Sequence, residues 1–127
     1  MRRSLRQLLD SERGIDVVAE CGELSAALSQ VALLHPDVLV LDLRLPEGSS
    51  FDVVKRLVEQ TPHTRIVVIT MHESHAFARA AHHAGALGFV LKDTADAELP
   101  DAVRAAAQGR RYTSPRVTAP VVRLRRI

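Results

Sequence analysis

Four short apolar runs alternate along this chain with stretches whose apolar residues recur at helical spacing, and that alternation limits the folds open to it. The runs are Ile15–Glu20, Asp37–Asp42, Arg65–Thr70 and Gly88–Lys92. Each reads as a strand, and the last three read as fully buried ones. Helical stripes fall before, between and after them: Leu5, Leu8 and Leu9 (to about Glu12); Leu24, Ala27, Leu28 and Val31; Phe51, Val54, Leu57 and Val58; Phe77, Ala80 and Ala81; Leu99, Val103 and Ala106. Gly14, Pro62, Gly85 and Gly109 punctuate the pattern. Ser49 or Ser50 is expected to cap the third helix and Ser74 the fourth. Pro100 is expected near the first turn of the fifth, where a missing N–H is tolerated. The order α-β-α-β-α-β-α-β-α implies a doubly wound α/β fold, a parallel sheet covered on both faces.

The strand ends carry the chemistry. Val38-Leu-Val-Leu41 is closed by Asp42, Ile66-Val-Val-Ile69 by Thr70, and Phe89-Val-Leu91 by Lys92. Open parallel sheets place their sites just outside the carboxyl ends of the strands. As parallel neighbours, the three strands bring a carboxylate, a hydroxyl and an ammonium to one edge. That combination suits a phosphoryl group: the carboxylate attacks, the cation neutralises the phosphoryl oxygens, and the hydroxyl donates to one of them. Pro46 and Gly48 turn the chain away beyond Asp42.

Leu41-Asp42-Leu43-Arg44-Leu45-Pro46, Val68-Ile69-Thr70-Met71-His72 and Gly85-Ala86-Leu87-Gly88-Phe89-Val90-Leu91-Lys92-Asp93 resemble the receiver domain of two-component response regulators, NarL/LuxR-type subgroup. The resemblance runs from about Arg2 to Pro115. It implies a flavodoxin-like (βα)5 fold, a phosphoacceptor at Asp42, a phosphate-sensing hydroxyl at Thr70, a phosphate-pairing cation at Lys92 and an aromatic switch at Phe89. It implies a histidine kinase as partner, a signalling switch rather than an enzyme, and Mg2+ held by Asp42 and the Arg44 carbonyl. DNA would be reached only through an output domain not present in this chain. Ser50 departs from the Gly common in the subgroup.

The resemblance has a gap. A receiver opens with a central strand ending in a pair of acids that help hold the metal. This sequence opens at Met1-Arg-Arg-Ser-Leu, inside the region that resembles the first helix. The first strand is therefore expected to be missing and the Mg2+ site incomplete, since the dication needs oxygen ligands those acids supply. Glu47 and Glu73 lie near the site but read as surface charges. Two buried strand edges would stay unpaired. They could be met by a different chain start, by direct pairing of 15–20 with 37–42, by the β-favouring Val121–Ile127 of the tail, or by a homodimer.

Residues 1–110 are read as the receiver and 111–127 as a basic tail or linker. Residues 1–101 carry ten Lys or Arg against fifteen Asp or Glu; residues 102–127 carry seven Arg and no acid. The tail has one aromatic, Tyr112, and no recognition-helix pattern, so a solvated linker fits better than a DNA-binding arm. Aromatics are 3% of the chain with no Trp, which leaves the core to Leu, Val, Ile and Ala. The single Cys21 allows no internal disulfide and reads as a small core residue. No membrane span or signal peptide is evident, which points to the cytoplasm. Of six His, the adjacent His82 and His83 face different ways on a helix, and His63, His72 and His75 fall on separate loops, so no zinc site is expected. A second reading keeps the fold and drops the phosphorylation: a pseudo-receiver serving as a protein-interaction or dimerisation module.

Overall fold

The computed structural model describes residues 5–43, 48–117, 123 and 125. Its order is α1 (Leu5–Asp10), α2 (Leu24–Leu34), β1 (Val38–Asp42), α3 (Gly48–Gln60), β2 (Arg65–Thr70), α4 (His75–Ala84), β3 (Gly88–Leu91), a 3-10 turn (Lys92–Thr94), α5 (Ala95–Ala107) and β4 (Tyr112–Thr113). The strands form one sheet in the order β1-β2-β3-β4, every neighbouring pair parallel. This is the expected flavodoxin-like α/β architecture.

Strand alternation sorts the core into two layers. Ile66, Val68, Phe89 and Leu91 pack with Val54 and Leu57 of α3 and Phe77, Ala78 and Ala81 of α4. Val67, Ile69 and Val90 point the other way, onto Leu9 of α1 and Ala95, Leu99, Ala102 and Ala106 of α5. The α5 positions recur at steps of three and four, so they share one helix face. Aromatics are scarce but placed together: the Phe77 ring stands edge-on to Phe89 at 5.7 Å between centroids and lies 4.8 Å from Phe51.

Ser74 caps α4 as expected, accepting from the Phe77 N–H at 3.2 Å. Gly85 closes the helix at φ 116°, and a Cβ there would lie 2.7 Å from a Val58 methyl carbon, so both conformation and space call for glycine. Ser49 and Ser50 are not caps: α3 begins at Gly48 and both lie inside it. Pro100 falls in the second turn of α5, not the first, and leaves the Asp96 carbonyl without its helical donor.

Two larger expectations change. Ile15–Glu20 is not a strand, and it does not pair directly with 37–42. Ile15 and Val17 still turn inward onto the α1/α5 layer, while Val18 is 56% exposed. The alternation is present, but no neighbour among the described residues offers a ladder. Cys21 is exposed and not a core residue, lying beyond the last inward-turned side chains of this irregular stretch. In turn, Tyr112–Thr113, read as tail, joins the sheet beside β3. Val121–Ile127 lies outside the described residues except for Arg123 and Arg125, which belong to no helix or strand.

Candidate functional site

β1, β2 and β3 end together, and their last residues meet at one edge. The register sets Asp42 opposite Ile69 and Thr70 opposite Leu91. Lys92 follows β3 directly and reaches across the end of β2, placing its Nζ 2.8 Å from Asp42 Oδ2. Parity explains the match: Val40 and Val90 lie on the α1/α5 side of the sheet, and Asp42 and Lys92 are two residues beyond them. The two side chains are 38% and 40% exposed. An exposed pair of this kind contributes roughly 0.2–1 kcal/mol, so the carboxylate can exchange partners cheaply. Its Oδ1 makes no hydrogen bond among the described residues.

Thr70 comes from the opposite parity. It shares a face with Val68 and is 1% exposed, beneath the loop that leads to α4. Its Oγ1 accepts from the His72 N–H at 3.1 Å, and no hydrogen bond joins it to Asp42 or Lys92. Phe89 is fully buried, diagonal to Thr70 across the β2–β3 pair, with its ring against Phe77. His72 stacks edge-on to the same Phe77 at 5.1 Å. A contact chain therefore runs from the Thr70 loop through Phe77 to Phe89. Asp42 and Lys92 form one pair, and Thr70 and Phe89 form a separate buried group behind it.

Arg44 and Glu47 lie outside the described residues. Glu73 is paired with Arg116, whose Nε donates to its Oε2 at 2.6 Å. No three His, Cys, Asp or Glu gather as a metal site among the described residues. Of the expected magnesium ligands, the structure places Asp42 alone at the edge.

Three participants escaped the sequence reading. Arg116 bridges Glu73 and Asp93, the latter at 3.1 Å. The buried Ser114 hydroxyl accepts from the Leu91 N–H at 2.9 Å and donates to Glu98 at 2.5 Å. His82 ties α4 to β4, with Nε2 2.9 Å from the Thr113 hydroxyl and Nδ1 2.8 Å from the Ala86 carbonyl. Burial lowers the His82 pKa below its ordinary 6.5, Arg111 adds to this, and the Ala86 hydrogen bond opposes it.

Residues 1–104 match the family model of the response regulator receiver domain. The chain belongs to that family. Relatives include the DNA-binding transcriptional activator DevR/DosR of Mycobacterium tuberculosis, 36% identical over 94% of this chain and 55% of that protein. The nitrate/nitrite response regulator NarP of Escherichia coli is 36% identical over 92% of this chain and 54% of its own length. This receiver thus spans about half the length of the curated relatives it matches. Among solved structures, a LuxR-family two-component regulator from Aurantimonas superposes with a TM-score of 0.78 at 36% identity, covering 88% of this chain and 80% of that one. The signal receiver domain of a NarL regulator from Mycobacterium tuberculosis gives 0.71 at 33% identity, covering 82% and 84%. The NarL/LuxR-type resemblance is therefore upheld. Receiver domains generally bind Mg2+ at their phosphorylation site. No helix among the described residues is long and apolar enough to cross a membrane.

Proposed function

We propose that this receiver takes a phosphoryl group from a histidine kinase onto Asp42. The observation that carries the reading is the 2.8 Å pair between Asp42 and Lys92, formed across an intervening strand at the carboxyl edge of the sheet. Asp42 Oδ1 attacks phosphorus while the P–N bond of the kinase phosphohistidine breaks, and the leaving imidazole nitrogen takes a proton from solvent water. Lys92 Nζ already lies within reach of charge building on the phosphoryl oxygens. Thr70 turns its hydroxyl to one of those oxygens and gives up the His72 N–H. The contact chain through Phe77 carries that change to Phe89, the switch residue. This is a two-state element biased by a local charge change.

Asp42 and the Arg44 carbonyl are the ligands we assign to Mg2+, which neutralises phosphoryl charge when bound. DNA contact is assigned to an output domain of the kind the longer relatives carry, and not to the Arg-rich residues after α5.

The test is phosphorylation of the 127-residue chain by a small phosphodonor such as phosphoramidate in excess Mg2+, read by mass spectrometry. Wild type gains one phosphoryl group on the peptide containing Asp42; Asp42→Asn gains none. Lys92→Gln slows incorporation by at least about tenfold, as loss of a charge-stabilising donor does. Equal labelling of wild type and Asp42→Asn would overturn the assignment. No labelling of either would leave the phosphorylation-independent interaction module as the reading.

A further inference from the structure

Residues 112–117 are bound down more thoroughly than a linker needs to be. Tyr112 N–H and Ser114 N–H donate to the Leu87 and Phe89 carbonyls of the β3 region, each at 2.9 Å. The Ser114 hydroxyl joins Leu91 of β3 to Glu98 of α5, and Thr113 meets His82 of α4. Val117 packs against the α3/α4 core layer. Arg116 then pairs with Glu73, three residues beyond Thr70, and with Asp93, next to Lys92. One short run therefore grips a strand edge, two helices and both loops that rim the phosphoacceptor site.

The Arg116 contacts have a consequence for that site. Its guanidinium fixes the distance between the loop after Thr70 and the loop holding Lys92. In the state seen here, Thr70 Oγ1 accepts from His72 N–H, which anchors the loop carrying Glu73. Thr70 lies on the face opposite Asp42, so for its hydroxyl to reach a phosphoryl oxygen the side chain must rotate, which carries Oγ1 away from the His72 N–H and frees residues 71–74 to move. Asp93 follows Lys92 directly after β3, on the other side of the gap that Arg116 spans. Arg116 cannot keep both carboxylates once residues 71–74 move relative to Asp93. Its partners are 50% and 58% exposed, so the pairs are weak enough to exchange for water.

We propose that residues 112–117 form a latch that favours the unphosphorylated receiver, with Arg116 as the restraining residue that phosphorylation of Asp42 releases. The proposal rests on the phosphoacceptor reading of Asp42. Linkage gives it a sign. If phosphorylation weakens the latch, then weakening the latch must strengthen binding of a phosphoryl mimic by the same factor. Ordinary structural damage acts the other way and lowers that affinity.

The chain supplies its own reporter: Tyr112 is the single tyrosine, there is no tryptophan, and Tyr112 lies in the latch. The experiment titrates beryllofluoride in excess Mg2+ into the full chain, following Tyr112 emission and its quenching by acrylamide. Wild type shows quenching that rises as the mimic binds. Arg116→Gln binds the mimic several-fold more tightly, starts from higher quenching, and melts within about 2 °C of wild type, as an exposed substitution does. Arg116→Lys falls between, since an ammonium cannot hold both carboxylates in the guanidinium fork. Mimic binding by wild type with equal or weaker binding by Arg116→Gln overturns the latch and leaves the phosphoacceptor reading standing. No mimic binding by wild type, with Asp42→Asn indistinguishable from it, overturns both.

Discussion

Leu91 and Val40 each turn a backbone N–H away from the middle of the sheet, and among the described residues only one of them finds a partner. Leu91, on β3, donates to the Ser114 hydroxyl. Val40 lies on β1, where Leu43 N–H donates to Ile69. The alternation of a parallel ladder therefore points the Val40 N–H outward. Nothing among the described residues receives it. Burial follows the same divide: every residue of β3 is buried, whereas β1 is partly buried throughout and exposed at Asp42. The β3 edge is finished by a segment that arrives after α5, while beside β1 the residues 15–20 pack side chains without forming a ladder. A strand is thus a property of a pair, whereas inward alternation belongs to one segment alone.

Hydrogen exchange gives the largest expected contrast between the edges. The Leu91 amide should open only with global unfolding and the Val40 amide almost freely, a difference of several kcal/mol in opening free energy. A protected Val40 would break the comparison by showing that some strand covers β1. A molar mass by light scattering would then tell a homodimer from the tail of the same chain.

Next comes side-chain truncation. Leu91 is 1% exposed, so Leu91→Ala should cost about 2–5 kcal/mol by chemical denaturation. Leu41 is only partly buried and should cost about 1–2 kcal/mol, in proportion to the smaller apolar area removed from water. Equal costs would mean that β1 is as enclosed as β3.

A smaller effect isolates the edge itself. Ser114→Ala leaves the Leu91 N–H and a Glu98 oxygen without their partner and should cost about 1–3 kcal/mol. Val18→Ala, on the unpaired side and 56% exposed, should stay within about 0.5 kcal/mol of wild type. If Ser114→Ala were as mild, the hydroxyl would not be what closes the β3 edge.

The two edges also differ in how far the sequence announced them. Asp42, Thr70 and Lys92 were legible because each terminates an apolar run, and parallel packing must bring such termini together. Ile15–Glu20 carried the same alternation, which reports which side chains turn inward and says nothing about a neighbour to pair with. β4 has two residues, too few to show a period. Ser114 and Arg116 lay in a stretch whose charge read as solvation. Their partners Leu91, Glu73 and Asp93 lie 23, 43 and 23 residues away, beyond any local pattern. His82 was weighed only as a metal ligand. Its task as a tie between α4 and β4 depends on a chain reversal that no helical spacing encodes.

That tie gives the smallest prediction. The Ala86 carbonyl can only accept, so neutral His82 carries its proton on Nδ1, and Nε2 accepts from the Thr113 hydroxyl. Protonating Nε2 does not forfeit the contact, since a hydroxyl can also accept. The cost arises from placing charge in a partly buried site, with Arg111 adding repulsion. Because the folded pKa lies below 6.5, the unfolded chain binds more protons across the window between the two values. The contribution of His82 is therefore fully present above pH 6.5 and is lost as pH falls through the folded value. Compared downward from pH 6.5, wild type should lose melting temperature relative to His82→Gln, the glutamine amide being able to donate to Ala86 and accept from Thr113 without titrating. A gap that stayed constant would mean that His82 is as easily charged in the fold as in water, and that the closed edge is wetter at Thr113 than at Ser114.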